Sequence, residues 1–245
     1  MVAESRVVCG PPPITRIVKI LLVLNVAAFV TLLLLERFVA LPALYGAVAL
    51  TPQALLKGIA LWQLVTTFFV HFEPWHILSN MLALYVFGPN LERRLGSRPF
   101  LRLYMLSGLC GSVCIVVLAY VLAALSPVYS RLPGGAYVGA SSAIFGLLVA
   151  YAMLFPDHIF LLMFIAPVRA RTLAIGFIAF DALMLVLGRD MGIAYTGHLG
   201  GALGGWLFIR AISKQPPKQG RSTTKRYEST VIEGRFKEIM RDVDD

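Results

Sequence analysis

Apolar and polar positions alternate along this chain in long blocks, and the blocks predict its architecture. Ile17 to Leu35 is uncharged apart from Lys19 at its start, long enough to cross a hydrocarbon core of ~30 Å. Leu103 to Leu125 carries no charged residue, and Ile193 to Ile212 is similarly long and apolar. With the apolar stretches between them, the pattern predicts helical spans at 17–35, 75–91, 101–125, 139–155, 172–188 and 193–212. Glu36 to Val70 is also apolar, but Pro42, Gly46, Pro52 and Gly58 break it. Such a segment is too interrupted for a clean span and too apolar for a solvated loop. An interfacial or re-entrant structure packed on the bundle is expected.

The polar remainder divides the chain. Residues 1–16 form a short arm stiffened by Pro11, Pro12 and Pro13; residues 17–213 form the membrane domain; residues 214–245 form a charged tail. Within that tail, Tyr227 to Val243 can hold a surface helix. Basic residues gather at Arg93, Arg94, Arg98 and Arg102, at Arg169 and Arg171, and through the tail. If both termini are cytoplasmic, all three groups fall on the inner side, as the distribution of positive charge in membrane proteins requires. A multi-pass protein of the plasma membrane is expected, and the compact six-span form suggests a bacterial inner membrane.

Composition agrees: 58% of residues are hydrophobic and 14% charged, against about half and a quarter in globular domains. The net charge of +9 would suit nucleic acid, but its placement beside the spans suits lipid headgroups instead. No nucleic-acid partner is expected. Cys110 and Cys114, one turn apart in an apolar run, read as small hydrophobes, and Cys9 stands apart. No metal or cofactor is expected, since four scattered histidines form no His-Glu-x-x-His motif.

Polar residues inside spans are costly and therefore candidates for chemistry. His76 and Asn80 are four apart on one helix face, where they either bridge helices or serve a site. Gly139-Ala140-Ser141 reads as a tight entry into a helix, leaving Ser141 in a first turn whose free N–H groups favour an oxyanion. The small residues Ser142, Gly146 and Ala150 read equally as a close-packing stripe. His198 heads a similar stripe of Gly201 and Gly205, which would bring it near a partner helix. Asp181, midway along the fifth span, is read as a hydrogen bond to a neighbouring helix rather than a third catalytic member. His71 is a structural donor and His158 a solvated loop residue.

These motifs together resemble the rhomboid family of intramembrane serine proteases. The pattern runs from Thr51 to Phe208: Trp62, His76-x-x-x-Asn80, Leu91-Glu92-x-x-Leu95-Gly96, Gly139-x-Ser141 and Gly197-His198-x-x-Gly201-x-x-x-Gly205. The resemblance implies an all-α, six-helix bundle with an interfacial first loop. It also implies a Ser141–His198 dyad without an acid, with His76, Asn80 and the Ser141 N–H forming the oxyanion hole. Substrates would be single-span membrane proteins entering from the side. Two positions depart from the family: Ser142 stands where glycine commonly follows the nucleophile, and Trp62-Gln63 replaces a Trp-Arg pair, which would loosen the first loop. A catalytically silent rhomboid-like protein that binds membrane-protein clients is the alternative. A transporter is a third reading, which lacks the internal duplication and paired intramembrane charges it would need. The oligomeric state is left open.

Overall fold

The computed structural model describes residues 13–38, 41–58, 60–162, 166–187 and 192–213. Most of the arm, Cys9 and the tail with its candidate helix lie outside the described residues. The chain is mostly helical: α1 (Arg16–Leu35), α2 (Leu41–Val48), α3 (Pro52–Leu56), α4 (Gln63–Thr66), α5 (Pro74–Leu95), α6 (Ser97–Leu125), α7 (Ser141–Leu154), α8 (Ala170–Val186) and α9 (Gly192–Ser213). Each of the six expected spans is a helix. Among the described helices, α1 and α6 are long and apolar enough to cross a membrane by themselves, whereas α7 has 14 residues.

Much of the surface is apolar, and several polar groups are buried within a largely apolar core. Leu24, Val26 and Leu34 of α1, Val113 and Val117 of α6, and Ile175, Phe180 and Leu183 of α8 are exposed. Asn25, Asn80, Ser107, Ser112, Asp181 and Thr196 are buried. Such wide apolar helix faces suit a lipid surround, because apolar surface is costly only where the solvent is polar.

The strict all-α expectation is corrected between α7 and α8. There β1 (Ile159–Leu162) pairs antiparallel with β2 (Ala166–Arg169), with Ile159 opposite Arg169 and Leu162 opposite Ala166. Ile-Phe-Leu-Leu is a short apolar run that period alone cannot assign to helix or strand. His158, expected to be solvated, is tied in at the hairpin's base: its Nδ1 lies 3.0 Å from Tyr151 Oη, and its ring stacks on Phe155.

Buried Glu92 fastens the start of α1. Its carboxylate accepts from Thr15 Oγ1 at 2.6 Å and from the N–H groups of Ile17 and Val18 near 3.0 Å, and Ser97 Oγ donates to it at 2.6 Å. One acid thus satisfies the orphan donors of a helix N-terminus and the entry to α6 together. Burial pushes the Glu92 carboxyl up, but these hydrogen bonds outweigh it and hold it below its ordinary value.

The described residues between α1 and α5 fold into α2, α3, α4 and a 3₁₀ turn (Thr67–Phe69). Gln63, where a looser loop was expected, is tied on both sides. Gln63 is buried; its Nε2 donates to Gly46 O at 2.8 Å and its Oε1 accepts from Thr51 N at 2.9 Å, joining α2 to α3. Trp62 Nε1 donates to Ala47 O at 2.7 Å. A neutral amide supplies both a donor and an acceptor, so the loop is closed without a buried charge.

Candidate functional site

The backbone that delivers Ser141 is held by this loop. Leu50 and Tyr137 exchange N–H to O bonds at 2.9 Å each, Thr67 Oγ1 donates to Tyr137 O at 2.7 Å, and Gly139 N donates to Thr67 O at 2.9 Å. Gly139 then turns the chain at φ +117°, a conformation that residues with a side chain rarely adopt. It also leaves room for His76: a Cβ at Gly139 would lie 2.6 Å from His76 Nε2 and 3.7 Å from Asn80 Nδ2. Ser141 follows as the first residue of α7. Its backbone N–H is among the donors that a helix start leaves without an intrahelical partner.

Glycines bring α9 to this point on two faces. On one, Gly197 approaches Ser142 and Ile115, Gly201 lies against the Ser142 backbone, and Gly205 lies against the Gly146 backbone. On the other, Gly200 and Gly204 face Cys114 and Cys110 of α6. The two cysteines thus pack as small hydrophobes against glycine. Close contact on two faces seats α9 in the groove beside α6 and α7, which also pack directly on each other.

This seating puts His198 beside Ser141, with Nε2 and Oγ 2.8 Å apart. The other ring nitrogen, Nδ1, lies 2.8 Å from Asp181 Oδ2 on α8. Phe145, one turn after Ser141, stacks on the imidazole with centroids 4.3 Å apart and planes 10° from parallel. Tyr195 meets the same ring edge-on. Both nitrogens and one face of His198 are therefore engaged. Ser142 points elsewhere, into the small space bounded by Gly111 and Gly197.

His76 and Asn80 stand on α5 across from Gly139. Asn80 is buried, and among the described residues its Nδ2 has no hydrogen-bond partner. A buried amide donor left open costs about 1–3 kcal/mol, which marks a place where a ligand atom could be received. His71, fully buried, meets His76 edge-on at 4.8 Å and receives a long contact of 3.5 Å from Ala140 N. Burial, with His76 adding to it, pushes His71 down to about 4. Among the described residues no three His, Cys, Asp or Glu side chains gather as a metal ion would require.

The structure thus gathers all four expected site residues around one turn of backbone. Sequence reasoning missed the partner of Asp181 and the stacking role of Phe145. The signals were present: a lone acid in mid-span, and an aromatic residue four after the serine on its own helix face.

A family model for the Rhomboid domain matches residues 59–215. The chain is 36% identical to RHOMBOID-like protein 12, mitochondrial, of Arabidopsis thaliana, over 67% of this chain and 49% of that one. It is 39% identical to Rhomboid protein 1, mitochondrial, of Saccharomyces cerevisiae, over 62% and 42%. It is 33% identical to Rhomboid protease GluP of Bacillus subtilis, over 70% and 29%. The chain therefore spans about half the length of these relatives or less. With mitochondrial proteins among them, they support a membrane location and lend no support to a bacterial inner membrane in particular. A domain match over more than half the chain, on the helices that carry the ordered motifs, makes this chain a member of the rhomboid family.

Proposed function

We propose that the chain is an intramembrane serine endopeptidase that cuts membrane proteins in or near their spans. The observation that carries the reading is the 2.8 Å contact between Ser141 Oγ and His198 Nε2 at the start of α7. In this mechanism neutral His198 accepts the Ser141 proton at Nε2 while Oγ bonds to the scissile carbonyl carbon. The carbonyl π pair moves onto oxygen. Asn80 Nδ2, His76 and the Ser141 N–H then stabilise that oxyanion, at about 3 kcal/mol for each well-placed donor. As the C–N bond breaks, His198 returns the proton to the leaving amine. Water, deprotonated by the same imidazole, then attacks the acyl carbon, and as the acyl C–O bond breaks the imidazolium returns that proton to Ser141 Oγ.

Six crossings, with both termini on the side bearing the basic loops, fit the charge pattern and are part of this proposal. Single-span membrane proteins are the proposed substrates and membrane lipids the surroundings. The test uses purified protein in detergent with a labelled single-span substrate. Wild type and Ser142→Ala cleave it, while Ser141→Ala and His198→Ala lose at least about 10³-fold in kcat. Ser142→Ala keeps activity because its hydroxyl faces Gly111 and Gly197. If the wild type retains such substrates in pull-downs yet cleaves none of a panel, the silent client-binding reading replaces this one.

A further inference from the structure

Asp181 sits on α8, a helix whose described side chains are otherwise buried only at Ala170 and Ala174. Its carboxyl is 4% exposed and reaches across to His198, whose own side chain is 18% exposed. Placing an acid in such surroundings is costly unless it is paired and hydrogen-bonded. An imidazole has two nitrogens, and which of them carries the proton depends on what the other one meets. A carboxylate only accepts, so it fixes hydrogen on Nδ1 and leaves the Nε2 lone pair facing the Ser141 hydroxyl. The three groups stand in line, at 2.8 Å and 2.8 Å, on α7, α9 and α8.

We infer that Asp181 is a positioning residue that makes the Ser141–His198 pair a triad, holding His198 in the tautomer and ring orientation that can take the serine proton. The inference rests on the protease reading above and goes beyond its two-residue form. During acylation Nδ1 keeps its hydrogen and Nε2 receives the one from Ser141. The imidazolium is then paired with the carboxylate until Nε2 protonates the leaving amine. No net proton reaches Asp181 in the cycle.

The experiment compares wild type, Asp181→Asn, Asp181→Ala and Ser141→Ala in detergent. It measures kcat and KM on a labelled single-span substrate, and the rate at which a small fluorophosphonate labels Ser141. That probe needs the base but no entry of a substrate helix. Asp181→Asn has the shape of the native residue and keeps the thermal midpoint, so it stays interpretable if Asp181→Ala unfolds. The expected result is a loss of 30-fold or more in kcat with KM within about twofold, and a parallel loss in labelling rate. If Asp181→Asn keeps kcat and labelling within about twofold of wild type, Asp181 does not act through His198. If it raises KM but labels at the wild-type rate, Asp181 only packs α8 against α9. Either result overturns the triad and leaves the protease reading standing. If wild type cleaves nothing, or Ser141→Ala cleaves as well as wild type, the protease reading itself fails and the triad falls with it.

Discussion

His71 shows how much one side chain can be asked to do beneath a site. It is fully buried, its ring supports His76, and its ordinary value near 6.5 is driven down to about 4. The folded protein therefore binds fewer protons at this residue than the unfolded chain between those two values. Stability contributed here is complete above about 6.5 and is lost as pH falls toward about 4. Thermal unfolding measured across that window should show the midpoint falling with acid, and His71→Gln should flatten the fall. An unchanged slope in His71→Gln would mean that other groups set the acid limit. Ser141, His198 and Asn80 were legible at this scale because each is a polar residue in an apolar stretch. The partner of Asp181 was not, since distance along the chain says nothing about which face of α8 meets α9.

At the scale of elements, the Ser141–His198 contact depends on α9 lying in backbone contact with α7. A Cβ at Gly201 would overlap the carbonyl of Ser142, which cannot rotate away as a side-chain end could. Gly201→Ala should therefore cost about 1–3 kcal/mol in stability and reduce kcat by at least about 10²-fold. Gly176→Ala on α8 is the control, because nothing lies within 4 Å of its added Cβ. It should keep full activity and stabilise its helix by about 0.5–1 kcal/mol. Equal effects from the two substitutions, read from melting and turnover, would remove the close-approach argument. The helices themselves were readable from hydropathy. The β1–β2 hairpin was not, because four apolar residues satisfy either period. Nor was the Leu50–Tyr137 bridge, whose bonds come from the main chain and leave no mark on residue type.

Across the whole molecule, Glu92 joins α1, α5 and α6 through one carboxylate. Glu92→Ala strands the donors of Thr15, Ile17, Val18 and Ser97, and should destabilise the domain by about 3 kcal/mol. Glu92→Gln, which keeps one acceptor, should cost less. A melting experiment that ranks them otherwise would assign the fastening of α1 to its apolar contacts. Because Glu92 is held below its ordinary value, its contribution is present above about 4.5 and fades as pH falls through the folded value. His71, just before α5, and Glu92, near its end, thus weaken the protein in the same direction, toward acid.

The glycine faces of α9 also set a clearance. A 2.8 Å contact has about 0.7 Å of play before it ceases to be a hydrogen bond, and one carbon–carbon bond is about 1.5 Å long. The glycines of α9 set its distance from α7, and that distance bears on whether serine and histidine meet. A single methyl group on the α9 face toward α7 is therefore enough to part the two side chains while residue identities, hydropathy and fold stay as they are.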